Sequence, residues 1–300
     1  MEHLIGIDLG GTQIKCGLFE SGTGKLLEKS ILPTDDGKML GKKFSWAVAI
    51  EEKLLTWSPD RTIPTGLASP GIPSGNGGSM TGIPGRMRGL EGFRWTDEMA
   101  WQRPIPLLND AHAALLGEIW KGAATGSDNV TMLTLGTGVG GAAVVDGKLL
   151  RGHLGRAGHF GHLCLDPDGV PGITGTPGSL EDAMGDSTVS RRSDGKFQST
   201  RDLLDAVLAA DSEANVIWNR SVRFLACGVA SLINALDPEI FLLAGGLTRA
   251  GDLLTDPLKK ELDRIEWRPD GNQVDLRIAD LSDWAGVYGA AYRAGSEFFQ

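Results

Sequence analysis

Three cysteines in 300 residues, at positions 16, 164 and 227, are too few and too scattered for a disulfide framework or a paired-cysteine zinc motif. Basic residues are in the minority: 29 Lys and Arg against 38 Asp and Glu give a net charge of −9, and no basic block stands out. Nucleic acid and anionic membrane are therefore poor partners, and an anionic ligand would need backbone N–H groups, a metal ion or a positioned lysine. No apolar run reads as a membrane span and no signal peptide is seen at the start, so a reduced, cytoplasmic protein is expected. A Walker loop is missing too, because no glycine turn runs into Gly-Lys-Ser/Thr at the required spacing.

What is plentiful is glycine, 43 residues, clustered at the ends of apolar runs. Residues 4–9 read as a strand, Gly10, Gly11 and Thr12 as a tight turn, 14–19 as a returning strand, and a third strand follows from Lys25. The pattern recurs. Residues 130–135 and 141–145 form a second hairpin turned at Gly136, Thr137 and Gly138, so that Leu9-Gly-Gly-Thr aligns with Leu135-Gly-Thr-Gly. Gly24-Lys-Leu-Leu is echoed by Gly147-Lys-Leu-Leu, which points to a duplicated unit, one per domain. A third glycine turn, Gly245-Gly246, follows the buried strand 240–244. Helical spacing marks 44–57, 111–120, 216–236, 253–265 and 284–299. Stretches 69–91 and 152–178 read as long loops, and 187–200 as a polar surface excursion. Strands alternating with helices mean an α/β fold.

The pivotal stretch is a short strand, 105–108, running into Asn109, Asp110 and a helix. Asn and Asp are common helix caps, which is the bland account of both residues. The chemical account is a carboxylate at a strand end acting as a general base. The glycine turns bear on the choice, because without Cβ atoms their N–H groups can approach phosphate oxygens, with Thr12 and Thr137 adding hydroxyls.

Residues 4–15 (LIGIDLGGTQIK) resemble the first phosphate motif of the sugar-kinase/actin/Hsp70 superfamily. Together with Leu108-Asn-Asp-Ala, Gly155-Arg-Ala-Gly-His-Phe-Gly-His, Gly175-Thr-Pro-Gly-Ser-Leu-Glu and residues 237–246, they are similar in content and order to the ROK family of repressors and sugar kinases. The resemblance implies two ribonuclease-H-like (actin-like ATPase) domains around a cleft, here 1–111 with the helix 284–300 packing back, and 112–283. It implies ATP-dependent phosphorylation of a hexose or amino sugar, with Asp110 as general base and Mg²⁺ held by Asp8 through water. Gly10, Gly11, Thr12, Lys15, Gly136, Thr137, Gly138, Gly245 and Gly246 would serve ATP. Gly71, Asn109, His159, His162 and Glu181 would serve the sugar. A small-molecule sugar is the expected partner, with a homodimer left open.

Two departures stand out. Where the family has the cysteines of its zinc element, this chain has Gly172, Thr174 and Ser179, which offer no thiolate, so zinc is not expected. A cluster of His153, His159, His162 and Cys164 is the alternative ligand set. Where the family has a sugar-binding glutamate, this chain has His159. An acceptor other than plain glucose, altered near the first two ring carbons, is the expectation; a loop-packing histidine is the plain alternative. Rival functions are a polyphosphate-dependent kinase and a catalytically weak sugar-binding protein. The third, a repressor, would need an N-terminal helix-turn-helix, for which a phosphate strand at residue 4 leaves no room.

Overall fold

The computed structural model describes residues 3–75, 77–82 and 87–296. Parts of the long loop 69–91, and the last residues expected in the final helix, lie outside the described residues. The first apolar runs become strands β1 (His3–Leu9), β2 (Gln13–Glu20) and β3 (Leu26–Pro33), paired antiparallel in sequence order. Helix α1 (Ser45–Trp57) covers one face with Trp46, Ile50 and Leu54. Strands β4 (Thr65–Ser69) and β5 (Leu107–Asn109) then add parallel to β1, and α2 (Asp110–Lys121) leaves β5 directly. The strand order is β3-β2-β1-β4-β5.

The second half repeats this scheme. Strands β6 (Val130–Leu135), β7 (Val139–Val145) and β8 (Lys148–Leu149) form the antiparallel part. The helices α3 (Leu180–Met184), α4 (Thr200–Leu208) and α5 (Ser212–Leu236) follow. Strand β9 (Ile240–Ala244), helix α6 (Asp252–Ile265) and strand β10 (Asp275–Ile278) complete the order β8-β7-β6-β9-β10. The glycine turns expected to match do match: each joins the first strand of its sheet to the second, after Leu9 and after Leu135. The echoed Gly24 and Gly147 both open the third strand, at φ of +69° and +70°.

Helix α5 is long and apolar enough, by length and composition, to cross a membrane, a feature the reading of apolar runs passed over. Its stripe of Trp218, Val222, Leu225, Val229 and Leu232 is buried in a core with Leu133, Leu135, Phe241 and Leu243. Among the elements not read from the sequence are these two. Helix α4 begins inside the supposed surface excursion, capped by Ser199, and β10 is an exposed edge strand of mixed polarity. Neither carries an apolar period long enough to declare itself.

The last helix, α7 (Ala285–Ser296), returns to the first half. It lies within backbone contact of β1, β4 and α2. A Cβ on Gly6, Gly66, Gly117 or Gly289 would strike the Val287, Ala290, Ala285 or Ala113 carbonyl respectively. Only glycine permits that approach. The chain accordingly divides into Met1–Gly126, Arg151–Ala157 and Asp280–Gln300 on one side, and Ser127–Leu150 with Gly158–Ala279 on the other. The expected boundary after 111 falls instead at Gly126, and 280–283 join the first unit, because α2 and α7 pack on each other. The fully buried Glu118 of α2 secures both passages: its carboxylate accepts the N–H groups of Ala123 (2.8 Å), Asp280 (3.1 Å) and Leu281 (2.8 Å). A buried carboxylate is tolerated where charge-assisted bonds replace its water.

Candidate active site

In the first unit, Asp8 is the penultimate residue of β1, and Asp110 follows the end of β5 at Asn109, which puts the two carboxylates in electrostatic reach. Asn109, buried, resolves the question of the cap. Its side-chain oxygen accepts the Ala111 N–H at 3.0 Å, while its Nδ2 donates to the Gly71 carbonyl at 3.0 Å. Gly71 sits at φ +100°, a conformation that favours glycine. Asp110, the first residue of α2, is exposed. Its Oδ1 lies 2.8 Å from the Ala111 N–H, but the Ncap position itself belongs to Asn109.

Asp8 is half-buried. Burial, and next the negative charge of Asp110, push its carboxyl up to about 7 from 3.8; Lys15 opposes this and Asp283 adds to it. Lys15 faces Asp8 across the β1–β2 pair, and its Nζ donates to the Asp283 carbonyl at 2.8 Å. A Cβ on Gly286, in the first turn of α7, would lie 2.9 Å from the Asp8 carboxyl. The turn Gly10–Thr12 is held from the end of β3 by Thr34, a residue no motif indicated. Its hydroxyl donates to the Gly10 carbonyl at 2.6 Å and its N–H to the Thr12 carbonyl at 3.1 Å.

In the second unit, Gly136, Thr137 and Gly138 form the β6–β7 turn. The N–H groups of Asp186 and Ser187 take the Gly136 and Thr137 carbonyls, each at 2.9 Å. Glu181, expected among the sugar contacts, has its carboxylate on this turn. Its Oε2 accepts the Val139 N–H at 2.9 Å and leaves no space for a Cβ on Gly138. Gly245, at φ +92°, passes so close to the Leu135 carbonyl that no Cβ fits. Beside the two turns opens a cavity of about 650 Å³. Gly136, Thr137 and Gly246 line it, with Leu204, Leu208, Leu247 and Leu253 as apolar walls and Arg201, Asp205 and Arg249 as polar groups. His159 precedes and His162 closes a single 3₁₀ turn, their rings within 17° of parallel and centroids 6.5 Å apart.

The structure thus gathers Asp8, Lys15, Asn109, Asp110 and Gly71 in one unit, and Gly136–Gly138, Glu181, Gly245 and Gly246 in the other. The ROK family model matches residues 4–296. This chain belongs to the ROK family. It is 34% identical over 309 residues to a glucokinase of Thermotoga maritima, with 96% of each chain covered. It is similar to the structure of a ROK hexokinase from Thermus thermophilus, with a TM-score of 0.84, 32% identity and 99% of both chains covered. It also resembles a ROK glucokinase from Streptomyces griseus in complex with glucose and AMPPNP, with a TM-score of 0.75, 26% identity, and 98% and 99% coverage.

The family's zinc element does not suit the residues present here. Ser179 Oγ donates to Asp182 Oδ2 at 2.9 Å and accepts the Asp182 N–H at 3.1 Å, while Arg191 pairs with the other Asp182 oxygen. A Cβ at Gly172 would lie 2.6 Å from Asp182 Oδ2, so a carboxylate stands where a cysteine would need room. Among the described residues no group of three or more His, Cys, Asp and Glu side chains could hold a metal ion. Magnesium asks less of the protein: one carboxylate, with water and phosphate oxygens completing the shell, is an ordinary arrangement. Asp8 fits that role: burial and then the charge of Asp110 disfavour its ionised form, and a cation beside it would favour that form.

Proposed function

We propose that this ROK protein is a sugar kinase that transfers the γ-phosphoryl group of ATP to a hydroxyl of a hexose or amino sugar. The observation that carries this reading is the division of labour at the β5–α2 junction: Asn109 caps the helix, and Asp110, exposed beside it, lies in electrostatic reach of the Asp8 carboxyl. Asp110 takes the proton of the acceptor hydroxyl as that oxygen forms its bond to the γ-phosphorus. The bond from the γ-phosphorus to the β,γ-bridging oxygen breaks, and ADP leaves. General bases of this kind contribute about 10²–10⁴-fold, and positioning and electrostatics supply much of the rest. Asp8 would hold Mg²⁺, which neutralises phosphate charge. The second unit's turn offers its N–H groups and the Thr137 hydroxyl to the terminal phosphate, with Glu181 holding the turn in shape.

A nucleotide donor is favoured over polyphosphate by the cavity beside that turn. Its leucine walls suit the apolar faces of a nucleoside; a polyphosphate chain has no use for such walls. The acceptor reading rests on His159. A glutamate is an ionised acceptor, while neutral imidazole offers one donor and one acceptor, so the hydrogen-bond pattern presented to the sugar differs. We therefore read the best acceptor as one that differs from glucose near its first two ring carbons, although the relatives above include glucokinases. A coupled ADP-release assay over hexoses, amino sugars and N-acyl sugars with Mg²⁺, using ATP or polyphosphate, tests all three parts. Turnover with ATP and a modified sugar is expected. Turnover with polyphosphate alone overturns the donor assignment, and binding of sugars without turnover overturns the kinase.

A further inference from the structure

Asp110 is flanked by two buried side chains that each reach a distant loop. Asn109 holds the Gly71 carbonyl, as described. His112, only 2% exposed, places its Nε2 3.0 Å from the carbonyl oxygen of Ala157. Since a carbonyl can only accept, Nε2 carries the hydrogen and the tautomer is set by the bond. The two loops also touch: a Cβ on Gly155 would lie 2.9 Å from Ile72 Cγ2, beside Gly71. The Ala157 N–H closes its loop by donating to the Arg151 carbonyl at 3.2 Å. Residues Arg151–Ala157 thereby belong to the first unit although the chain on either side belongs to the second. Immediately after Ala157 come Gly158, His159 and, three residues further, His162.

We propose that His112 is a positioning residue for acceptor binding: it fastens Ala157 to the helix that carries Asp110, and so sets where the histidine segment begins. This rests on the kinase reading given above. A helix interior has no local need for a buried imidazole. One whose ring nitrogen meets a carbonyl 45 residues away is there for the loop.

The test compares His112→Leu, which fills the space but leaves the carbonyl without its donor, with His112→Gln, whose amide N–H reaches about as far as Nε2. The Leu variant should raise the KM for the acceptor by ~10-fold or more, the scale of one buried hydrogen bond left unmade. The KM for ATP should stay within about twofold, and the Gln variant should recover most of the loss. Limited trypsinolysis gives a readout that needs no turnover, because Arg151 and Arg156 lie within the fastened segment and are exposed. Faster cleavage there in the Leu variant, slowed again in the Gln variant, is expected. An unchanged acceptor KM, or equal rises in both KM values, overturns the role in acceptor binding. Cleavage rates that are the same in all three proteins overturn the fastening itself. A wild-type protein that phosphorylates no sugar would sink the kinase reading, while the trypsin comparison still decides whether His112 holds the loop.

Discussion

The two sheets share one plan, β3-β2-β1-β4-β5 in the first and β8-β7-β6-β9-β10 in the second, yet the charge at their strand ends differs. A glycine at strongly positive φ follows the fourth strand in both, Gly71 at +100° and Gly245 at +92°. Each sheet has a glycine–threonine turn after its first strand, but beside the first sheet's turn stand Asp8 and Asp110, with Asp283 adding to the local negative charge. Beside the second sheet's turn the carboxylate is Glu181, and it is engaged with a backbone N–H. The scaffold thus sets where loops emerge and leaves the side chains there to set the local charge.

The comparison breaks most sharply at Asp110. Asp110→Asn keeps the shape and leaves the Asn109 cap in place, so folding should survive while kcat falls by about two to four orders of magnitude. A near wild-type rate at saturating sugar would show that the first unit supplies no base. In the second unit, Glu181→Gln loses the charge, and Glu181→Ala also loses the acceptor for Val139 N–H. Loss of one such bond corresponds to roughly 5–150-fold. We expect the Ala variant to lose kcat/KM for ATP on that scale, with the Gln variant in between. Equal loss in sugar KM alone would return Glu181 to the sugar. His159→Glu should move the kcat/KM ratio toward glucose by about tenfold. A ratio that does not move makes His159 a loop-packing residue.

Smaller effects come from Asp8. A carboxyl whose folded pKa lies near 7 and whose unfolded value is 3.8 keeps its proton longer in the folded state. Stability from this group therefore falls as pH rises from about 4 to about 7 and is level beyond. In the absence of Mg²⁺, Asp8→Asn should melt a few degrees higher than wild type at pH 8 and lose that advantage toward pH 4. Mg²⁺ should narrow the gap at pH 8 if Asp8 binds it, and an unchanged gap removes the metal from this residue. The smallest expected effect is none. Chelation at neutral pH should leave the melting temperature where it was, because Asp182 occupies the space a zinc ligand would need; a stabilising zinc that co-purifies would overturn this.

The repeat, the turns and the β5–α2 junction were legible because each is local. An apolar run stops, glycines follow, and period and spacing report it. Glu181 was legible as a residue of interest, but its bond to Val139, 42 residues away, was not. The same holds for the boundary between the units. It turns on glycines in α2 and α7 whose close approach no spacing announces.

What the sequence determined by itself is the α/β alternation, the duplicated hairpins, the placing of glycine where strands end, and an amide–carboxylate pair at the head of α2. Tertiary structure alone decided which of that pair caps the helix, because Asn109 needed the Gly71 carbonyl from another loop to commit its amide. It likewise decided that Thr34, His112 and Glu118 matter at all. Each satisfies backbone groups far away in the chain, and such partners exist only once burial has removed the water that would otherwise serve.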